Sequence, residues 1–303
     1  MAERRAKETM KNINLNWPRD ARGWFAHWTN RQFTPEGEYS TIDSAIMIAG
    51  AYFAGNYFGG ELATLAEEIG NTPDWPTIYV SATDSGIYMV SNAEGMSAQT
   101  QSFNEYYLLC YLAMAHEDGG TLAKDHFRDV FGLAGTGSPD GKPAGRSAWW
   151  GGFFPKFPVY TSGGNSYQTM SDSNDFMTSF TVQFAWMAVK GMNDNPWYKD
   201  TIYPEWGQAD RIWWTDQTQL DWAGFESSWG ANPHGKAFGC GAGDTPTGYG
   251  VIKMGDPYGG KQYIFSAANM AGFLGVNSLK DIVTQDLQWL YDNNISYTKD
   301  CFR

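Results

Sequence analysis

The sequence is poor in cysteine, histidine and charge. Its three cysteines, Cys110, Cys240 and Cys301, are odd in number and show no metal-like spacing. Cys110 lies in an apolar helical run, where a small buried hydrophobe is expected. The four histidines, His27, His116, His126 and His234, form no HExxH or similar pair, so a zinc site has no support. No serine sits in a G-x-S-x-G frame, and the glycine-rich stretch 239–250 lacks the Gly-Lys-Ser/Thr ending that holds phosphate. Charged residues make up 18% of the chain against a usual figure of about 25%. With 21 basic against 33 acidic residues the net charge is −12, which repels a nucleic-acid backbone. No run approaches the length of apolar sequence that spans a membrane. Residues 1–11 are charged and have no signal-peptide core. The chain as given is expected to be soluble and monomeric. It is expected to be cytoplasmic, or periplasmic or secreted if the native chain begins with a signal peptide.

Aromatic rings and turns fill the space that charge leaves. Aromatics reach 16%, with 14 tryptophans, and there are 35 glycines among 303 residues. Such a ring content can offset the entropy of ordering, which excludes a disordered chain. Too little Glu, Lys and Leu at heptad spacing excludes a coiled coil. Aromatic faces stack on the C–H faces of pyranose rings and carboxylates bind hydroxyls, so this composition points to sugars.

Helical periodicity dominates the pattern. Residues 3–15 read as a polar helix running into Pro18. Ile42, Ala45, Ile46, Ala49, Phe53 and Tyr57 mark one face of a helix over 41–58, with Ser40 as N-cap and Asp43 as a capping-box acid. Further helices are expected over 61–69, 103–117, 121–133, 176–192, 198–213, 262–275 and 278–293. Short strands are expected at 78–80 and 87–90, joined as a hairpin around Asp84-Ser85-Gly86. Two long irregular regions, 135–164 and 220–260, are rich in Gly, Trp and Tyr, as functional loops are. No linker, composition shift or internal repeat divides the chain, so a single all-α domain over 1–303 is expected. Paired helices with long one-sided loops suggest a barrel of α-hairpins with the site on its loops.

The remaining chemistry is carboxylate chemistry. Glu38, Asp43, Glu105, Glu226 and Asp244 all lie in loops or at helix starts, with Trp or Tyr close by. Each also has an ordinary reading: Asp43 and Glu105 as first-turn acids, Glu38 as a solvated turn residue, Glu226 and Asp244 as turn formers. Together they fit a glycosidase, which needs one carboxylic acid to protonate the glycosidic oxygen and a second carboxylate to activate water or attack the sugar.

The order of the motifs sharpens this. Gly23-Trp24-Phe25-Ala26-His27-Trp28, followed by Glu38-Tyr39-Ser40-Thr41-Ile42-Asp43-Ser44-Ala45 and Ala49-Gly50, resembles the glycoamylase-like family. That family shows a G-W/F-F-Y-H-F element and an E-x-S-T-I-D-T-A element before an Ala/Gly-rich helix. Phe103-Asn104-Glu105 is similar to its Y-N-E element, and Glu226-Ser227-Ser228-Trp229-Gly230 to its E-N-x-W-G element. Ala242-Gly243-Asp244-Thr245-Pro246, with Gly248-Tyr249, is similar to its A-S-D-G-P…G-Y loop. The resemblance implies an (α/α)6 toroid with a sugar cleft, here short of its first helices. It extends to glycoside hydrolase family 144, the endo-acting β-1,2-glucanases, and to the related domain of cyclic β-1,2-glucan synthases. By that likeness Glu38, Asp43 and Glu105 lie at the cleavage site, with Asp244 and Glu226 on the opposite wall. Glu105 would be the general acid and Asp43 or Asp244 would handle the water. Trp24, His27, Tyr39, Trp229 and Tyr249 would bind the sugar. The implied partner is an oligo- or polysaccharide, with no metal or cofactor.

Overall fold

A computed structural model describes residues 1–80, 87–100, 106–116, 159–168, 178–189, 193–194, 196, 198–221, 238–245, 248–251 and 266–292. The expected helix over 121–133 and most of the two irregular regions lie outside these residues. The chain divides into two compact units, one of Met1–Ser138 with Pro143–Gly152, the other of Pro139–Lys142 with Phe153–Arg303. Helices dominate the described residues, as expected. To the all-α expectation must be added a four-stranded antiparallel sheet and two two-stranded ribbons. No described helix is long and apolar enough to cross a membrane.

In the N-terminal unit, α1 (Ala2–Asn16) packs on α3 (Gly60–Gly70), which in turn packs on α2 (Thr41–Phe58). The core includes Ile48, Leu62, Ile69, Trp75, Ile78 and Leu109. The next helix, α4 (Tyr106–His116), lies against α2 and buries Leu108, Leu109, Cys110 and Ala113. The Cys110 thiol is the small hydrophobe its sequence context implied, and burial pushes it well up from its ordinary range. His116 closes this end. It stacks on Trp75 at 5.0 Å between centroids, and its Nε2 lies 2.9 Å from the Tyr52 hydroxyl. Burial, followed by the Glu67 carboxylate, pushes Tyr52 up to about 12.

The sheet runs β1 (Ala26–Thr29), β2 (Pro35–Ser40), β3 (Ile87–Asn92) and β4 (Gly95–Thr100), each antiparallel to the next. The expected strand at 87–90 is present, but its expected hairpin partner at 78–80 is reduced to a single antiparallel bridge, Tyr79 opposite Ile87. Residues 75–78 form a 3-10 turn, with Pro76 at its start, and β3 instead folds back on β4. Asn92 drives that turn, its side chain accepting from the backbone N–H groups of Glu94 and Gly95 at 3.0 and 3.1 Å. The segment leading into β1 is built around Asp20. Its Oδ1 accepts from the N–H groups of Arg22 and Trp24, at 3.0 and 2.8 Å, and its Oδ2 from the Ser91 hydroxyl at 2.5 Å. Gly23 passes between them at φ +81, and a Cβ there would stand 2.0 Å from the Thr72 carbonyl oxygen.

The C-terminal unit contains β5 (Val159–Ser162) paired with β6 (Asn165–Gln168), α5 (Phe180–Ala188), a π-turn at Tyr198–Ile202 and α6 (Tyr203–Asp221). It continues with β7 (Ala242–Thr245) paired with β8 (Gly248–Val251), α7 (Ala267–Gly272) and α8 (Asn277–Asp292). Its core is aromatic: Tyr198, Tyr203, Trp206, Trp214, Phe238 and Phe273 are fully buried. The polar ends of two of these rings are satisfied by carbonyls, Tyr198 on Val182 and Tyr203 on Gly272, each at 2.7 Å. Among them lies a buried carboxylate, Asp210 on α6. Burial pushes it up from 3.8 to about 6, while hydrogen bonds from Ser179, Cys240 and Gly239 pull it down.

Two stability outcomes are expected. Gly23→Ala should lower stability by about 1–3 kcal/mol for the left-handed backbone alone, with the clash on Thr72 added, read as a fall in thermal midpoint. For Asp210 the folded value is raised, so the folded chain holds its proton more tightly than the unfolded chain does. Its contribution is full below 3.8 and is lost as the pH rises through about 6. The shift corresponds to roughly 3 kcal/mol. Denaturant unfolding from pH 3.5 to 7 should therefore show wild type losing stability relative to Asp210→Asn across that window. A difference between the two proteins that stays flat with pH would contradict this.

Candidate functional site

Three of the residues expected at a sugar site, His27, Glu38 and Asp43, come together at the junction of β2 and α2. Ser40 is both the last residue of β2 and the N-cap of α2. Its hydroxyl accepts from the Asp43 N–H at 3.1 Å and donates to the Asp43 carboxylate. In a full capping box the acid would reach back to the backbone N–H of the cap residue. Here that N–H is already donated to the Phe25 carbonyl at 3.2 Å, so the Asp43 carboxylate keeps an oxygen for other work. The neighbouring hydroxyls lock the junction. Ser44 donates to the Ser40 carbonyl at 2.6 Å while accepting from the Phe25 N–H at 3.0 Å. Thr41 Oγ1 lies 2.9 and 3.1 Å from the carbonyls of Tyr88 and Met89 on β3.

A β-bulge supplies the other half of the site. Ala26 pairs with Tyr39 and Trp28 with Glu36, so Gly37 and Glu38 of β2 stand against the single residue His27 of β1. Gly37, at φ +85, provides the left-handed backbone such a bulge takes. The bulge turns Glu38 toward His27. His27 Nδ1 lies 3.2 Å from Glu38 Oε1, and its Nε2 lies 3.4 Å from Asp43 Oδ2. One imidazole thus stands between the two carboxylates, one carried by a strand and one by the first turn of a helix. A substrate can reach this cluster, since the Glu38 and Asp43 side chains are 46% and 48% exposed. Trp28 stacks on the His27 ring at 4.4 Å and is itself 47% exposed, giving a flat apolar surface beside the acids.

Trp24 is corrected. It is fully buried, set edge-on against Trp75 at 5.4 Å, with its indole N–H donated to Thr77 at 3.1 Å. A ring enclosed in the core has no face to offer a sugar. The exposed ring beside the acids is Trp28, which the sequence reading left unassigned. No sequence signal separated it from Trp24 in the same motif; its exposure follows from its place on β1, an edge strand. Tyr39 is half-buried and lies opposite Ser91 of β3.

Glu105, Glu226 and Trp229 lie outside the described residues. Asp244 and Tyr249 are in the C-terminal unit, directly opposite each other in the β7–β8 ladder, but their side chains are outside what is described. Among the described residues, no group of three or more His, Cys, Asp or Glu side chains is arranged to hold a metal ion.

No known family profile and no curated protein sequence matches the chain. Solved structures do match its fold. The endo-β-1,2-glucanase from Chitinophaga pinensis, solved with sophorotriose and glucose, superposes with a TM-score of 0.65 at 12% identity, over 96% of this chain and 66% of that one. A candidate glucoamylase from Bacteroides uniformis gives 0.62 at 12% identity, over 95% of this chain and 66% of that one. A β-1,2-glucanase from Parabacteroides distasonis gives 0.62 at 12% identity, over 98% of this chain and 43% of that one. The chain therefore spans about two thirds of the length of the first two and less than half of the third. At this identity the likeness is one of fold, and that fold is glycoamylase-like.

Ser40→Ala should cost about 1 kcal/mol through loss of the N-cap and should leave Asp43 without its hydroxyl partner. A thermal midpoint equal to that of wild type would show that the cap contributes nothing.

Proposed function

We propose that this chain is a glycoside hydrolase that cleaves a β-glucan, endo-acting on β-1,2-linked chains, through carboxylate acid/base chemistry. The observation that carries this reading is the solvent-open cluster of Glu38, His27 and Asp43 beside the exposed Trp28 face. It combines paired acids with a sugar-stacking surface at the strand–helix junction of a glycoamylase-like fold. The solved neighbours of that fold include β-1,2-glucanases.

The roles divide by what each step needs. A glycosidic oxygen leaves as an alcohol only if a proton arrives with it, and the sugar carbon must be met by water or a carboxylate. Asp43 and Glu38, open to solvent and held beside an imidazole, suit the carboxylate that orients and activates water. Glu105, one residue before the start of α4, is assigned the general acid. Asp244 shares the water-handling role with Asp43 in this reading, and Glu226 is assigned to the same reaction. His27 stands between Glu38 and Asp43, its Nδ1 3.2 Å from the one and its Nε2 3.4 Å from the other, so it spaces the two carboxylates before substrate arrives. Trp28, Tyr39, Trp229 and Tyr249 are assigned to sugar contact. The reading also takes the chain as a single domain of an (α/α)6 toroid, acting as a monomer.

Reducing-end release should be measured on β-1,2-, β-1,3- and β-1,4-glucans. Wild type should act on the β-1,2-linked polymer. Glu105→Gln, Asp43→Asn and Glu38→Gln should each lower kcat on the order of 10²–10⁴-fold, with thermal midpoints close to wild type. A fully active Glu105→Gln variant would remove the assignment of the acid. Stabilisation by a glucan without any product would instead identify a glycan-binding module of the same fold, and product from another polymer only would reassign the substrate.

A further inference from the structure

The C-terminal unit holds a second polar construction, at the root of the β7–β8 ribbon, that sequence reasoning did not find. Residues 238–241 lead into β7 without belonging to a helix or strand, yet Phe238, Gly239, Cys240 and Gly241 are buried. Buried backbone groups need partners, and here the partners come from three directions. Asp210 of α6, fully buried, accepts from the Cys240 N–H at 2.9 Å through Oδ2 and from the Gly239 N–H at 3.3 Å through Oδ1. The Ser179 hydroxyl donates to the same carboxylate, and the Ser179 N–H donates to the Cys240 carbonyl at 2.8 Å. From the other side, Asn269 Nδ2 donates to the Cys240 carbonyl at 2.8 Å and the Ser266 N–H to the Gly239 carbonyl at 2.9 Å. Gly239 runs at φ +119, where a Cβ would stand 2.3 Å from the Ser266 carbonyl oxygen. The segment is held against movement on both faces.

Two residues after Cys240, Ala242 opens β7, pairing with Val251, and Asp244 follows opposite Tyr249. β7 and β8 form a two-stranded sheet, which is marginally stable in water by itself, so a clamped root helps to set its position. We propose that Asp210 is a positioning residue that fixes the root of the β7–β8 ribbon and thereby the placement of Asp244. It touches no substrate and works through the Gly239 and Cys240 amides. The geometry recommends a carboxylate at this place: both oxygens accept, and the donors around them have no other described acceptor. An amide in its place would turn a donor toward donors. The catalytic half of this inference rests on the glycosidase reading above, while the structural half stands without it.

Hydrogen exchange and kinetics together test it on the full chain. Asp210→Asn should raise amide exchange at 239–251 at least about tenfold, with little change in α1 to α3. A displacement of about 1 Å at a reacting group costs on the order of 10²-fold, so kcat on β-1,2-glucan should fall by roughly that factor with KM nearly unchanged. The double variant Asp210→Asn/Asp244→Asn should be no slower than Asp244→Asn alone, because both changes act through one carboxylate. If Asp210→Asn does not fold, Ser179→Ala removes one donor, keeps the backbone bonds, and should show the same pattern at smaller size. Exchange at 239–251 equal to wild type in a folded variant overturns the proposal, and so do fully additive kinetic losses in the double variant. Faster exchange in a chain whose wild type hydrolyses no glucan supports the root clamp and removes the glycosidase reading instead.

Discussion

The candidate site depends on what the backbone N–H of Ser40 does. Because it is donated to the Phe25 carbonyl, the residue that leads into β1 stays tied to the start of α2. The Asp43 carboxylate is thereby released from the reciprocal cap it would otherwise form. A helix N-terminus favours an acid in its first turn, and that acid normally serves the helix. Here the sheet supplies the partner the helix start would have taken from Asp43, and the carboxylate turns to the Ser40 hydroxyl and His27. The bulge at Gly37 and Glu38 then brings the second acid to the other side of the same ring. One strand, one cap and one bulge place two carboxylates and an imidazole together without any of them being deeply buried.

Each unit holds an irregular segment with an aspartate, half-buried in the first and fully buried in the second. Asp20 gathers the amides around Gly23 ahead of β1, and Asp210 gathers those of Gly239 and Cys240 ahead of β7. In both, a glycine passes where no Cβ fits. Buried acceptors aimed at backbone donors are strong because they are charge-assisted and sit in a low-dielectric setting. The low overall charge of the chain is consistent with this use, in which a few acids act at fixed points. The aromatic excess divides likewise. Trp24, Trp206 and Trp214 are core, and Trp28 is the exposed ring beside the acids.

Much of this was legible residue by residue. The helices over 41–58 and 61–69 were legible because cap chemistry and apolar content are local, but the buried face of α2 was not: Phe53 and Tyr57 are exposed, and Ile48 and Ala51 are buried in their stead. Cys110 as a buried small hydrophobe followed from its neighbours. The pairing of Glu38, Asp43 and His27 was not legible, because it depends on a bulge and on a hydrogen bond from Ser40 to Phe25, fifteen residues away in sequence. Trp24 was read as a sugar platform because a Trp in an aromatic motif has the same letter in a core as on a rim. Its burial is set by Trp75 and Thr77, more than fifty residues on. Asp210 carried no motif at all.

By itself the sequence determined that the segments of α1, α2 and α3 are helical, where α2 begins, and that the chemistry to look for is that of carboxylates beside aromatic rings. These follow from interactions within a few residues, which composition and spacing record directly. Only the tertiary structure decided which acids share a histidine, which tryptophan is exposed, and which aspartate anchors a loop. Those outcomes rest on contacts between segments far apart in the chain, where the deciding quantity is whether a donor or a ring face is already occupied by a partner that local sequence does not name.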